Sequence, residues 1–158
     1  MATEINRAHL LKIRMAIETL NADFCHYLDH GQVAKLVDLF TAEAFYAHGD
    51  RVTRGRVEID ELFSARAGKS RISRHFQTSL RLKILTQTQA TGHSTCLTFA
   101  ADGKPPIYGA NPILVADFID QYRRCKDGRW RIERRQINRI FVDGSNKGPV
   151  DARPEDSQ

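Results

Sequence analysis

Residues 21–32 read NADFCHYLDHGQ. Ile13, Ile17, Leu20, Phe24, Tyr27 and Leu28 recur at spacings of three and four, the period of one helix face, and Gly31 stands where such a helix stops. Asp29 therefore falls in the last turn. A helix C-terminus carries about half a negative charge and opposes a carboxylate by about 0.3–1 kcal/mol. An acid placed there is either a solvated turn residue beside a glycine, capping local backbone, or a group held for a partner elsewhere in the fold.

Beyond the Gly31 break, Val33, Leu36, Val37 and Phe40 repeat the helical spacing, so two helices stand in tandem. AEAFYAHGD (42–50) alternates as a strand that turns at Gly49-Asp50 and returns through RVTRG, and Val57 to Ala67 reads as a third helix ending at Gly68. From Ile72 the period becomes two: Ile72, Phe76, Leu80, Leu82 and Ile84 are expected near one face, and His75, Gln77, Ser79, Arg81 and Lys83 on the other. Three further strands follow in QATGHSTCLTFA, NPILVADFIDQYRRC and RWRIERRQINRIF, with Trp130 and Phe141 expected as core anchors of the last. Helices first and a long, largely antiparallel sheet afterwards is the α+β order. A curved sheet with helices laid over one face encloses a space suited to a small ligand.

At 158 residues the chain is expected to form one domain over residues 1–142, followed by a polar, Gly/Pro-containing tail from 143 to 158. No apolar run approaches the length of a membrane span, and the opening residues lack the pattern of a targeting peptide, so a cytoplasmic protein is expected. Cys25, Cys96 and Cys125 are odd in number and lack metal-ligand spacing, which reads as reduced thiols. The net charge of +5 raises the question of nucleic acid, but the arginines around Arg66, Arg71 and Arg74 and from Arg123 to Arg139 form neither a single stripe nor an aromatic-interleaved platform. No nucleic-acid partner is expected. No phosphate-cradling glycine loop and no metal-spaced pair is present in the sequence, so no cofactor and no metal are expected.

The order of elements, together with FCHYLDHG (24–31), LVDLFTAEAFY (36–46), RGRVEIDELF (54–63), SRHF (73–76), DFIDQY (117–122) and DGRWRIERRQINRI (127–140), resembles the SnoaL-like, nuclear-transport-factor-2-like family over residues 8–141. Within it the chain is most similar to the branch of scytalone dehydratase, bile-acid 7α-dehydratase and lindane dehydrochlorinase. The resemblance implies a cone-shaped, curved mixed sheet wrapped over the N-terminal helices, a cystatin-like roll. It also implies an Asp–His pair at Asp29 and His75, acting in a cofactor-independent elimination such as dehydration of a small hydrophobic cyclic substrate. Phe24 stands where these relatives often place a tyrosine, leaving Tyr46 and His48 as candidate replacements. Phe118 stands where Tyr-x-Asp is common, leaving Asp120, and Arg135 and Asn138 are candidates for the polar wall.

The chemistry of the pair has its own reason. Elimination needs a proton taken from carbon, and histidine titrates near working pH. A carboxylate on its second ring nitrogen sets the tautomer and stabilises the imidazolium. Two other readings compete with the lyase: a non-catalytic ligand-binding module or the small structural subunit of a ring-hydroxylating dioxygenase, and, third, a ketosteroid-isomerase-like enzyme with Asp120 as base, for which no Tyr–Asp pair is evident in the sequence. Leu97, Phe99, Leu114 and Phe118 cannot all line one small cavity, so an apolar outer face and a homodimer or homotrimer are expected.

Overall fold

The computed structural model describes residues 6–144. The expected tail therefore lies outside the described residues except for Asp143 and Gly144. Helix α1 (Arg7–Asp29) is started by Asn6, whose side chain accepts from the His9 backbone N–H. It buries Ile13, Ile17, Leu20, Asn21, Phe24 and Cys25, and full burial of each large apolar side chain contributes about 1.5–3 kcal/mol. Helix α2 (Val33–Asp38) is shorter than its apolar period suggests. Phe40 already belongs to strand β1 (Phe40–His48), which turns through Gly49 and Asp50 into β2 (Arg51–Arg54). Helix α3 (Gly55–Ala67) begins where Glu58 reaches back to the Arg54 backbone N–H at 2.7 Å, satisfying one of the donors a helix start leaves open.

The long strands β3 (Arg71–Ile84), β4 (Gln89–Asp102), β5 (Pro112–Arg124) and β6 (Trp130–Val142) complete a six-stranded sheet in the order β2-β1-β6-β5-β4-β3. All pairs are antiparallel except β1 with β6, and among the described residues β2 and β3 are the edge strands. The architecture is α+β, a mixed and curved sheet that stays unclosed, with helices on its concave side. Helix α1 lies on β3 and β6 and α3 on β1 and β2, enclosing the core. Where the Tyr122 ring crosses the sheet, β4 carries Gly92, because a Cβ there would stand 2.9 Å from Tyr122 Cε2. Among the described residues no helix is long and apolar enough to cross a membrane.

The alternation expected along β3 holds only in part. Its register with β4 shifts between Thr78 and Arg81, and Ser79 sits there at φ 57°. A bulge inserts a residue and reverses which parity faces the core. Before it, Ser73, His75 and Gln77 turn inward and Phe76 outward, 55% exposed; after it, Leu80, Leu82 and Ile84 pack on the core. Phe76 and the apolar residues beyond the bulge thus lie on opposite faces. A second correction concerns β6. Trp130 packs against the core, but Phe141 is 68% exposed on the outer face, because the register of β5 with β6 shifts between Ala116–Arg139 and Val115–Phe141 and reverses the alternation that keeps Ile137 inside.

Candidate active site

Asp29, the last residue of α1, is no solvated turn residue. Its Oδ1 accepts from the Ser73 hydroxyl at 2.8 Å and lies 2.5 Å from His75 Nδ1, while Oδ2 accepts from the His75 backbone N–H at 2.9 Å. The two side chains are only 5% and 9% exposed. Burial would raise the Asp29 pKa, but the bonds and charge of His75 and the Ser73 hydroxyl outweigh it and hold the carboxyl below its ordinary value. A carboxylate at Nδ1 keeps the ring proton there, leaving the Nε2 lone pair on the ring's opposite edge. Among the described residues nothing bonds Nε2, and the ring lines a cavity.

That cavity lies between α1, α3 and the concave face of the sheet. The centres of water-sized atoms have about 130 Å³ in which to move, roughly ten times what one water needs by the same measure. Its floor is aromatic: Phe24 meets Phe40, Phe63 and Phe118 edge to face at 6.1, 6.3 and 6.3 Å. Tyr46 and His48 from β1, Thr98 from β4 and Ile137 from β6 complete the sheet side, and Leu62 and Arg66 from α3 the helical side. Burial pushes the Tyr46 phenol up to about 12, so it stays protonated and a donor at neutral pH. Among the described residues no hydrogen bond engages its hydroxyl.

A second polar layer lies behind the aromatic floor. Arg135 is fully buried and pairs with Asp120 through Nε and Nη2, both at 2.8 Å, while Nη2 also reaches Asn21 Oδ1 at 2.7 Å. Tyr122 donates to Asp120 Oδ2 at 2.7 Å, and Asn21 Nδ2 donates to the Tyr122 hydroxyl at 2.9 Å. The guanidinium stacks on Phe24 at 4.3 Å and on Phe118 at 4.7 Å. Burial alone would lower its pKa, but Asp120 more than reverses this and keeps the group charged. Its Nη1 has no partner among the described residues.

Of the residues expected at the site, Asp29 and His75 meet, and Phe24, Tyr46, His48 and Phe118 line the cavity. Asp120 and Arg135 do not form its wall; they neutralise one another beneath Phe24 and Phe118. Asn138 is exposed on the outer sheet face, bonded to Gln136, because strand alternation sends it opposite to Ile137. A Tyr–Asp pair does exist, Tyr122 with Asp120, but both Asp120 oxygens are bonded by Arg135 and the residue lies outside the cavity wall, out of place for an isomerase base. Sequence reasoning missed Ser73, Arg66 and Asn21. Ser73 stands two residues before His75 on the same strand face, Arg66 three after Phe63 on α3, and Asn21 is a polar residue inside the apolar stripe of α1.

The SnoaL-like domain profile matches residues 10–136. The chain belongs to the SnoaL-like family. Solved structures similar to this SnoaL-like chain include a candidate scytalone dehydratase from Novosphingobium aromaticivorans, with TM-score 0.78 and 19% identity over 87% of this chain and 91% of that one. LinA superposes with TM-score 0.71 and 19% identity over 88% and 95%. A Nostoc punctiforme protein of unknown function with a cystatin-like fold gives 0.69 and 22% over 87% and 94%. The branch expected from the sequence is thus represented among the neighbours, and at these identities the likeness establishes the fold. Among curated proteins no sequence match was found.

Two outcomes are expected of the Asp29–His75 contact. Truncating either partner strands the other at a cost of about 1–3 kcal/mol, so Asp29→Ala and His75→Ala are expected to couple by about 0.5 kcal/mol or more in a urea-unfolding double-mutant cycle; additive effects would deny the contact. The second concerns acid. Because the folded pKa lies below the ordinary 3.8, the unfolded chain binds this proton first, and the stability Asp29 contributes is complete above that value and lost as the pH falls through the folded pKa. Asp29→Asn is therefore expected to unfold with a flatter pH dependence than the parent below about pH 4. Parallel curves would mean that Asp29 gains nothing from its partners.

Proposed function

We infer that this SnoaL-like protein is a lyase that eliminates water or a similar leaving group from a small hydrophobic cyclic substrate by acid–base chemistry at His75. The supporting observation is the 2.5 Å contact of Asp29 with His75 Nδ1 in the wall of an aromatic-floored cavity. Nε2 takes the proton from the substrate carbon, and the electron pair of that C–H bond forms the double bond as the leaving group departs. Asp29 stabilises the imidazolium. When the leaving group is hydroxyl, the same Nε2–H returns its proton, so water leaves and the histidine is restored. The Tyr46 hydroxyl, protonated at neutral pH, is placed to donate to a substrate carbonyl or to the departing oxygen. Arg135, its charge balanced by Asp120, supports the rings of Phe24 and Phe118 from beneath and so fixes the shape of the floor.

A screen of hydroxylated and halogenated ring compounds, read by the absorbance of the new double bond, tests this. General acid–base removal costs about 10²–10⁴-fold, so His75→Ala is expected to lower kcat/KM by that amount and Asp29→Asn to lower kcat with a smaller change in KM. A His75→Ala variant as fast as the parent would remove the histidine from the mechanism and favour a binding module.

We further infer that the chain self-associates as a homodimer or homotrimer through the outer sheet face. Phe76, Leu97, Val115 and Phe141 stand in register across β3, β4, β5 and β6, and Phe99 packs 6.2 Å from Phe76. So wide an apolar row on a monomer is unusual. Light scattering coupled to size exclusion is expected to give two or three chain masses for the parent and one for a Phe76→Lys, Phe141→Lys variant. A monomeric parent at micromolar concentration would deny the interface.

A further inference from the structure

The cavity's charge is one-sided. Arg51 from β2, Arg66 from α3 and Lys69 beyond it all line it, and among the described residues no Asp or Glu does. Arg51 and Lys69 are exposed at its mouth, and no carboxylate pairs with either among the described residues. Arg66 is half-buried. Its Nη2 donates at 3.0 Å to the neutral hydroxyl of Ser73, and only through that hydroxyl does it reach Asp29, whose oxygens already serve His75 twice. Burial pulls the Arg66 guanidinium below its ordinary pKa; Tyr46 and Asp29 oppose this without reversing it, and Arg71 adds a smaller repulsion.

A partly desolvated guanidinium without a carboxylate of its own is unfavourable, because buried charges normally come paired. The remaining acids near the cavity do not supply the partner. Asp29 is committed to His75 and Ser73, and Asp120 to Arg135 and Tyr122. The apolar floor and the cationic rim together describe one kind of ligand, a flat ring body ending in an anion. The floor takes the ring, and three donors of the rim meet the anion, with the planar guanidinium of Arg66 suited to a bidentate carboxylate.

We propose that the substrate is an anionic one: a cyclic or aromatic molecule bearing a carboxylate, seated with its ring on Phe24, Phe63 and Phe118 and its carboxylate on Arg66, Arg51 and Lys69. This rests on the elimination reading only for calling the ligand a substrate; the charge preference is a property of the cavity itself.

The test compares 2-naphthoate with its neutral isostere 2-naphthamide, each titrated into the full chain and followed by naphthalene fluorescence. The carboxylate is expected to bind at least about tenfold more tightly at low salt, a modest return for charges at contact distance. Raising NaCl from about 20 to about 500 mM is expected to erode that advantage while leaving the amide unchanged. Arg51→Gln with Lys69→Gln should shrink the ratio severalfold without weakening the amide. Lys12→Gln with Lys126→Gln, an equal loss of charge at two exposed lysines outside the cavity lining, should leave it intact. Equal affinities in the parent, no binding of the carboxylate, or a ratio that follows net charge rather than the rim would overturn the proposal. His75→Gln keeps the two readings apart, since it should retain the carboxylate preference whether or not the parent shows turnover.

Discussion

The carboxylate of Asp29 joins the end of α1 to an edge strand. Among the described residues strand β3 has β4 on one side only, so backbone donors on its other side lack a strand partner there. Asp29 takes one of them, the His75 N–H, and with its other oxygen takes the Ser73 hydroxyl and the His75 ring. One side chain thereby pins the helix to the sheet, protects part of an edge and orients an imidazole. The unfavourable helix dipole at that position is outweighed by three hydrogen bonds, one of them to a histidine able to carry positive charge. The cavity exists because this join holds α1 across one margin of the sheet while α3 covers β1 and β2.

Charge in the interior is arranged in two layers. The deeper layer, Arg135 with Asp120, Tyr122 and Asn21, is almost fully satisfied, and it uses residues from α1, β5 and β6 that have little else in common. Such a network contributes little net stability over an apolar core, but losing one member leaves a buried charge unpaired, so it favours one arrangement of helix on sheet. The outer layer, Arg66 with Arg51 and Lys69, has no acids of its own in the cavity lining among the described residues. The aromatic floor of Phe24 and Phe118 separates the two, stacked on Arg135 below and open to the cavity above.

The sequence by itself determined the order of helices and strands, the helix stop at Gly31, the hairpin at Gly49-Asp50 and the α+β class, because these depend on local periodicity and on turn residues. Through the family resemblance it also pointed to Asp29 and His75, although 46 positions part them. Three matters were decided only in three dimensions. The bulge at Ser79 exchanged the faces of β3, which a strict period of two cannot register, and so put His75 on the same side of the sheet as Leu80. A register shift between β5 and β6 turned Phe141 outside despite its apolar side chain, and alternation sent Asn138 outward. The arginines of β6 looked like a solvated basic run, yet Arg131 and Arg135 are buried against acids distant in sequence or across a turn. Periodicity reports which residues share a face. Whether a polar residue on that face is buried depends on a partner that only the folded chain brings within reach.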